Sequence, residues 1–317
     1  MSKNSSNAVA NLSTSPPDYS PAKDKEVKKS AEKSEHDSLE TQTESFKFLN
    51  SAVNLKPVCS ALECTIKQVE EVKIVLKIFP IFASTVILNC CLAQLSTFSV
   101  QQAASMDTNL GSLKIPPASL PVFPIVIIMV LAPVYDHVII PFARKLSKRE
   151  TGISHLQRIG TGLVLSIVAM AAAALVEVKR KHVATEHDML DSKAPLPITF
   201  FWIAIQYALL GSADLFTLAG MLEFFFTEAP SSMRSLATSL SWASLAVGYY
   251  LSSVIVAIVN DATSKGHYHK AWLSGGNLNH YYLERFYWLL CVLGALNFLN
   301  YLFWACRYKY RSTGSRK

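Results

Sequence analysis

The sequence is short of the residue patterns from which most chemical sites are built. It has six cysteines, yet no Cys-x-x-Cys and no Cys/His spacing of the kind that holds a metal. Cys90, Cys91, Cys291 and Cys306 lie in or beside apolar runs, and Cys59 and Cys64 precede the first run. Nothing has the form of a secreted disulfide framework. No Ser/His/Asp arrangement, P-loop or glycine-rich nucleotide fingerprint is present, which argues against an enzyme and gives no foothold for a cofactor. The N-terminus is polar and lacks an apolar signal core, so no cleavable signal peptide is expected. Charge is missing in long blocks. None occurs between Lys77 and Asp107, Lys114 and Asp136, Arg158 and Glu177, Lys193 and Asp214, Arg234 and Asp261, or Arg285 and Arg307.

What is present fits those blocks. Half of the 317 residues are hydrophobic, and each charge-free block is long enough, or nearly so, to cross a bilayer as a helix. The expectation is an all-α membrane protein with six transmembrane helices, at about 78–105, 117–140, 156–177, 197–226, 233–260 and 285–306. The net charge of +7 is concentrated in tails and loops, so it reports membrane topology and not a nucleic-acid partner. Residues 1–50 are rich in Ser, Lys, Glu and Asp with little apolar periodicity, and are expected to be disordered. Residues 51–77 form an amphipathic lead-in, and 307–317 form a basic tail. Near the span ends, fourteen Lys and Arg fall on the side of both termini and eight on the other, which places both termini in the cytosol. The cluster Lys179-Arg180-Lys181 faces outward in this scheme and is discordant with it.

The stretch from Pro197 to Pro230 is apolar but interrupted by Asp214 and Glu223. A carboxylate within a span costs roughly 2.5–3.5 kcal/mol on insertion scales, so each is a candidate functional group. At 3.6 residues per turn, Glu223 shares a face with Gly220, Ala219, Phe216 and Ser212, while Asp214 falls about half a turn away. Glu223 either lines a cavity through this small, weakly polar stripe or simply ends the helix at the water interface before Pro230. In the first span Cys90, Gln94, Thr97 and Gln101 fall on one face, and in the fifth Ser235, Ser239, Trp242, Ala246, Tyr249 and Ser253 do so, with Gly248 allowing close approach. Polar and small stripes of this kind mark either a helix–helix seam or a cavity wall. Tyr135-Asp136-His137 ends the second span, where Asp136 either ties down a cytosolic helix end or takes part in a proton relay.

The longer motifs carry a resemblance. QVEEVK (68–73), NCCLAQLSTFSVQQAASM (89–106), PPASLPVFP (116–124) and APVYDHVIIPFARK (132–145) are followed by ISHLQRIGTGLVLSIVAMAAAALVE (153–177). LGSADLFTLAGMLEFFFTEAPSSMRSLATSLSWASL (210–245) and NFLNYLFWACRYKY (297–310) complete the series. Together they resemble the C-terminal half of plant nitrate/peptide-type transporters, the proton-coupled oligopeptide transporter branch of the major facilitator superfamily. The subgroup of low-affinity nitrate and abscisic acid importers is the nearest in character. The resemblance implies that the six helices correspond to helices seven to twelve of a twelve-helix fold, with substrate between two bundles that rock about it. It implies proton-driven uptake of a small anionic or carboxylate substrate, with contacts on helices seven, eight, ten and eleven.

The candidate cavity residues are then Gln94, Ser96, Thr97, Gln101, Phe216, Glu223, Ser239 and Trp242, with Glu223 and Asp136 as gating or proton-carrying groups. A position that is histidine in the dual-affinity nitrate transporter is Leu92 here, which favours a bulkier organic anion. The Glu-x-x-Glu-Arg coupling motif of the family's first helix is missing, and residues 1–50 have the character of the loop between the halves. A C-terminal half, inactive without an N-terminal bundle, is therefore expected. The alternative is a non-transporting membrane protein that pairs with other transporter chains.

Overall fold

A computed structural model describes residues 66–110, 112–135, 137, 141, 145, 153–192, 194–228, 234–265 and 271–308. The expectations for residues 1–50, for the start of the lead-in, for Asp136 and for the tail beyond Tyr308 lie outside the described residues. The chain divides into two units, Met1–Glu70 and Glu71–Lys317, and of the first only the opening turn of a helix is described. The α-helices among the described residues are α1 (Ile66–Ser96), α2 (Phe98–Ala104), α3 (Val122–Val134), α4 (His155–Glu186), α5 (Phe201–Glu228), α6 (Arg234–Ser264) and α7 (Leu283–Arg307). Among the described residues, six segments are long and apolar enough to cross a membrane: Glu71–Ala104, Pro117–Val134, His155–Glu186, Phe201–Glu228, Thr238–Ser264 and Leu283–Arg307. The protein is thus an integral membrane protein whose spans are all helical, as hydrocarbon requires of backbone that must satisfy its own polar groups.

Local sequence explains where helices start and break. Ser154 caps α4: its side chain accepts from the Gln157 N–H, and the Gln157 side chain accepts in return from the Ser154 N–H. With 32 residues, α4 is about 48 Å long, well beyond the roughly 30 Å of hydrocarbon, so it projects from the membrane. The first span is interrupted at Thr97, whose backbone (φ −114°, ψ −92°) separates α1 from α2.

α4 and α5 pack along their lengths around Ile159, Leu163, Ala169, Ile203, Tyr207 and Leu210, all buried. They approach closely at Gly162, where a Cβ would lie only 2.7 Å from the Ala213 carbonyl. Small residues at such crossings let backbones approach and gain dispersion contact, the main attraction available between helices in lipid. α7 lies on the other side of α4, joined by the Tyr301 hydroxyl, which donates to the Leu156 carbonyl. α3 packs on α5 through Pro124 against Gly211 and leaves Ile125, Met129 and Val130 exposed.

One end of the bundle is closed by loops. Strand β1 (Met106–Asp107) pairs in parallel with β4 (Leu196–Thr199), while β2 (Asn109–Leu110) and β3 (Leu113–Lys114) form a small hairpin. Beneath this cap lies a buried ion pair, Glu177 with Arg180, both fully excluded from solvent. Arg180 donates twice to Glu177 (2.7 and 2.8 Å), once to Asn279 Oδ1 (2.6 Å) and once to Ser105 Oγ (3.1 Å). Gln102 donates to Glu177 at 2.6 Å and accepts from Tyr287 at 3.0 Å. The network ties α2, α4, α7 and the loop before α7 together. All three cations of the 179–181 cluster have partners. Arg180 is neutralised by Glu177, Lys181 pairs with Glu284 at 2.7 Å, and Lys179 sits 3.5 Å over the Trp202 ring.

Candidate functional site

The polar side chains of α1 meet those of α6 along one seam. Thr85 Oγ1 and Asn89 Nδ2 each lie 2.9 Å from Ser244 Oγ, the Cys90 thiol lies 3.1 Å from the Gly248 carbonyl, and Gln94 Nε2 donates to Ser252 Oγ at 2.8 Å. Gly248 makes this possible: a Cβ there would stand 2.3 Å from Asn89 Cβ. Where α5 joins the seam, the three helices enclose a cavity of about 120 Å³. Thr85 and Asn89 line it from α1, Asp214 and Thr217 from α5, and Ser241, Trp242 and Ser244 from α6. Leu88, Leu218, Met221 and Leu245 supply the apolar wall.

Asp214 is the charged residue of this cavity. It is half-buried, and among the described residues it makes no hydrogen bond or ion pair. No Lys, Arg or His lines the cavity with it. An intramembrane carboxylate of this kind normally faces a partner or water and marks a substrate or proton path. Gln94 Oε1, buried nearby in the seam, also lacks a partner among the described residues.

The sequence-predicted residues separate into three groups. Trp242 lines the cavity, although two thirds of its surface is exposed. Gln94, fully buried, belongs to the α1–α6 seam directly above Cys90. Ser96, Thr97 and Gln101 are exposed around the break between α1 and α2, and Thr97 Oγ1 donates to the Ala93 carbonyl at 3.0 Å. Ser239 is exposed on α6 and does not line the cavity. Leu92 is buried in the core.

Phe216 and Glu223 lie on the far side of α5, in a cluster with α3 and α4. Phe216 packs edge-to-face on Tyr135 with ring centroids 5.1 Å apart, and the Arg158 guanidinium lies 4.8 Å from the same Tyr135 ring. Glu223, about half exposed, accepts from Arg158 Nη1 at 2.6 Å and is 2.9 Å from His155 Nδ1. Its stripe is a packing seam. Gly220 faces Ile159 and Arg158 so closely that a Cβ would come within 3.0 Å of either. Thr85, Asn89 and Ser244 entered no sequence-derived set. Their signal was local: Thr85 and Asn89 are spaced i, i+4, and Ser241 and Ser244 i, i+3, each placing two polar groups on one helical face.

The family model for PTR2, the POT family, matches residues 8–273. Among curated proteins, Protein NRT1/ PTR FAMILY 4.6 of Arabidopsis thaliana is 67% identical, over 99% of this chain and 55% of that protein. NRT1/ PTR FAMILY 4.5 of the same plant is 67% identical over 86% of this chain and 48% of its own length. The chain spans about half the length of the curated relatives it matches. Among solved structures, an auto-inhibited POT family peptide transporter superposes with a TM-score of 0.61 at 20% identity, over 79% of this chain and 44% of that one. A peptide transporter POT variant in complex with alafosfalin does so with a TM-score of 0.53 at 15% identity, over 91% and 53%. The six-helix arrangement is therefore that of a major facilitator half-bundle, and by the match along most of its length this chain belongs to the POT family.

Proposed function

We propose that this chain forms one six-helix half of a proton-coupled transporter that takes up nitrate or a carboxylate hormone such as abscisic acid or gibberellin. The reading is carried by one observation: Asp214 faces a cavity at the junction of α1, α5 and α6 with no partner among the described residues. An anion placed beside an ionised Asp214 would meet a like charge. At about 4 Å and an effective dielectric near 20, that repulsion is worth about 4 kcal/mol. A proton on Asp214 removes it and offers the anion a donor, which couples one proton to one anion. Thr85, Asn89 and Ser244 would supply neutral polar contacts, and Trp242 an aromatic wall. Cations for the anion would come from a second bundle seated on the exposed Trp242, Tyr249 and Tyr250 face of α6.

Glu223 takes the gating role in this scheme. Its bonds to Arg158 and His155 fasten the end of α5 to the start of α4, and their rupture would accompany rocking of the bundles. Both termini are assigned to the cytosol and the protein to the plasma membrane. The pairing of Arg180 and Lys181 with acids supports that orientation by cancelling two outward charges. The test is uptake of labelled nitrate and abscisic acid under an inward proton gradient, with the chain joined to the N-terminal part of the Arabidopsis relative. Asp214→Asn should abolish gradient-driven uptake with surface expression retained. Undiminished uptake by that variant would refute the assignment.

A further inference from the structure

The cavity at the α1–α5–α6 junction has a size and a polarity that narrow what enters it. Its volume is about 120 Å³. An engineered cavity of about 150 Å³, lined by Leu, Ile and Phe, stays dry and takes benzene. Leu88, Leu218, Met221 and Leu245 give the present cavity a comparable aliphatic wall, and Trp242 adds a flat aromatic face. A single six-membered carbon ring is therefore about what it holds.

The hydrogen bonds along its polar edge run in one direction. The Thr85 hydroxyl donates to the Phe82 carbonyl at 2.7 Å, so the hydrogen between Thr85 Oγ1 and Ser244 Oγ, 2.9 Å apart, comes from Ser244. Asn89 Nδ2 donates in turn to Ser244 Oγ. Both hydroxyl hydrogens are thereby committed within the seam. Asn89, nine-tenths buried, keeps its Oδ1 without a hydrogen bond among the described residues. Asp214, when ionised, is an acceptor as well. A buried carbonyl oxygen is costly to leave unpaired, so this edge calls for a donor on the occupant. Nitrate brings neither a ring nor a donor.

We propose that this cavity is a subsite for a hydroxyl-bearing six-membered carbocycle. The hydroxyl donates to Asn89 Oδ1, and the ring carbons lie against Leu88, Met221 and Leu245. That the ring belongs to a transported molecule rests on the transport reading; the subsite itself does not. Among anionic substrates the cavity singles out carboxylates that carry such a ring and sets nitrate apart. No Lys, Arg or His lines it, so the carboxylate itself is left to the facing bundle.

The test measures binding and transport separately. Saturation-transfer NMR on the detergent-solubilised chain is read with three probes. Cyclohexanol has ring and donor, methoxycyclohexane keeps the ring without the donor, and 1-hexanol keeps the donor without the ring. Cyclohexanol should bind saturably and about tenfold more tightly than methoxycyclohexane, the worth of one hydrogen bond to a buried acceptor. Met221→Trp, which fills the cavity, should abolish that binding, and Leu245→Phe serves the same end if the first variant does not fold. In the chain joined to an N-terminal bundle, Met221→Trp should lower the ratio of abscisic acid to nitrate uptake by about tenfold. Equal binding of the three probes would overturn the proposal. So would binding that survives both filling variants, or an unchanged uptake ratio. Cyclohexanol binding as expected, in a joined chain that imports neither anion, would uphold the subsite and remove the transport reading.

Discussion

The Glu177–Arg180 pair gives the sharpest energetic prediction. Replacing Glu177 by Gln keeps a side chain of similar size but removes the charge that Arg180 faces. Arg180 then remains fully buried with Ser105, Asn279 and a neutral amide as acceptors in place of a bidentate carboxylate. Breaking a buried ion pair from one side costs roughly 3–5 kcal/mol, because the survivor is left desolvated and uncompensated. Gln102, which donates to Glu177, loses a charged acceptor as well. For a chain of this size that corresponds to a fall in melting temperature on the order of 10 °C. Thermal unfolding of the detergent-solubilised chain, followed by monodisperse elution after heating, reads the shift. Removing both charges together, as Glu177→Leu with Arg180→Met, should recover much of the loss, since a well-packed apolar pair is close to neutral relative to a buried ion pair. A Glu177→Gln variant as stable as the parent, or a double variant as damaged as the single one, would refute the reasoning.

Other outcomes follow from the same geometry. Gly248→Leu should part α1 from α6, because even a Cβ meets Asn89 at 2.3 Å; overpacking of this kind costs roughly 1–3 kcal/mol, and heating of the detergent-solubilised variant would reveal it. Glu223→Gln, in a chain joined to an N-terminal bundle, should abolish uptake and leave membrane insertion intact, since it frees α5 from Arg158 and His155. Normal uptake by that variant would remove Glu223 from the gate. The chain alone in vesicles should show no proton-driven uptake of nitrate or abscisic acid, and measurable uptake there would mean that no second bundle is needed.

The six crossings were legible because hydrocarbon tolerates few charges and the chain spaces its charges accordingly. Which face of each helix does what was less legible. Serines lie all round α6: Ser239 and Ser253 on the exposed side, Ser244 and Ser252 in the seam. Periodicity cannot choose between these faces; the close approach of Asn89 to Gly248 does. Glu177 looked like the aqueous end of a span because charge usually ends an apolar run. Its burial depends on Arg180 one turn later and on Gln102 from another helix. The i, i+3 spacing hinted at the first partner, and nothing local could reveal the second. Asp214 stood out as a carboxylate in an apolar span, but its place beside Thr85 and Ser244 depends on how three helices converge.

The central claim is that Asp214 carries the coupled proton. Its most direct test is anion uptake by the chain joined to an N-terminal bundle, measured for the parent and for Asp214→Asn with and without an inward proton gradient. The expected result is uptake that rises with the gradient in the parent and does not respond to it in the variant, at equal surface expression. Gradient-driven accumulation that persists in Asp214→Asn would contradict the account and place proton coupling elsewhere in the protein.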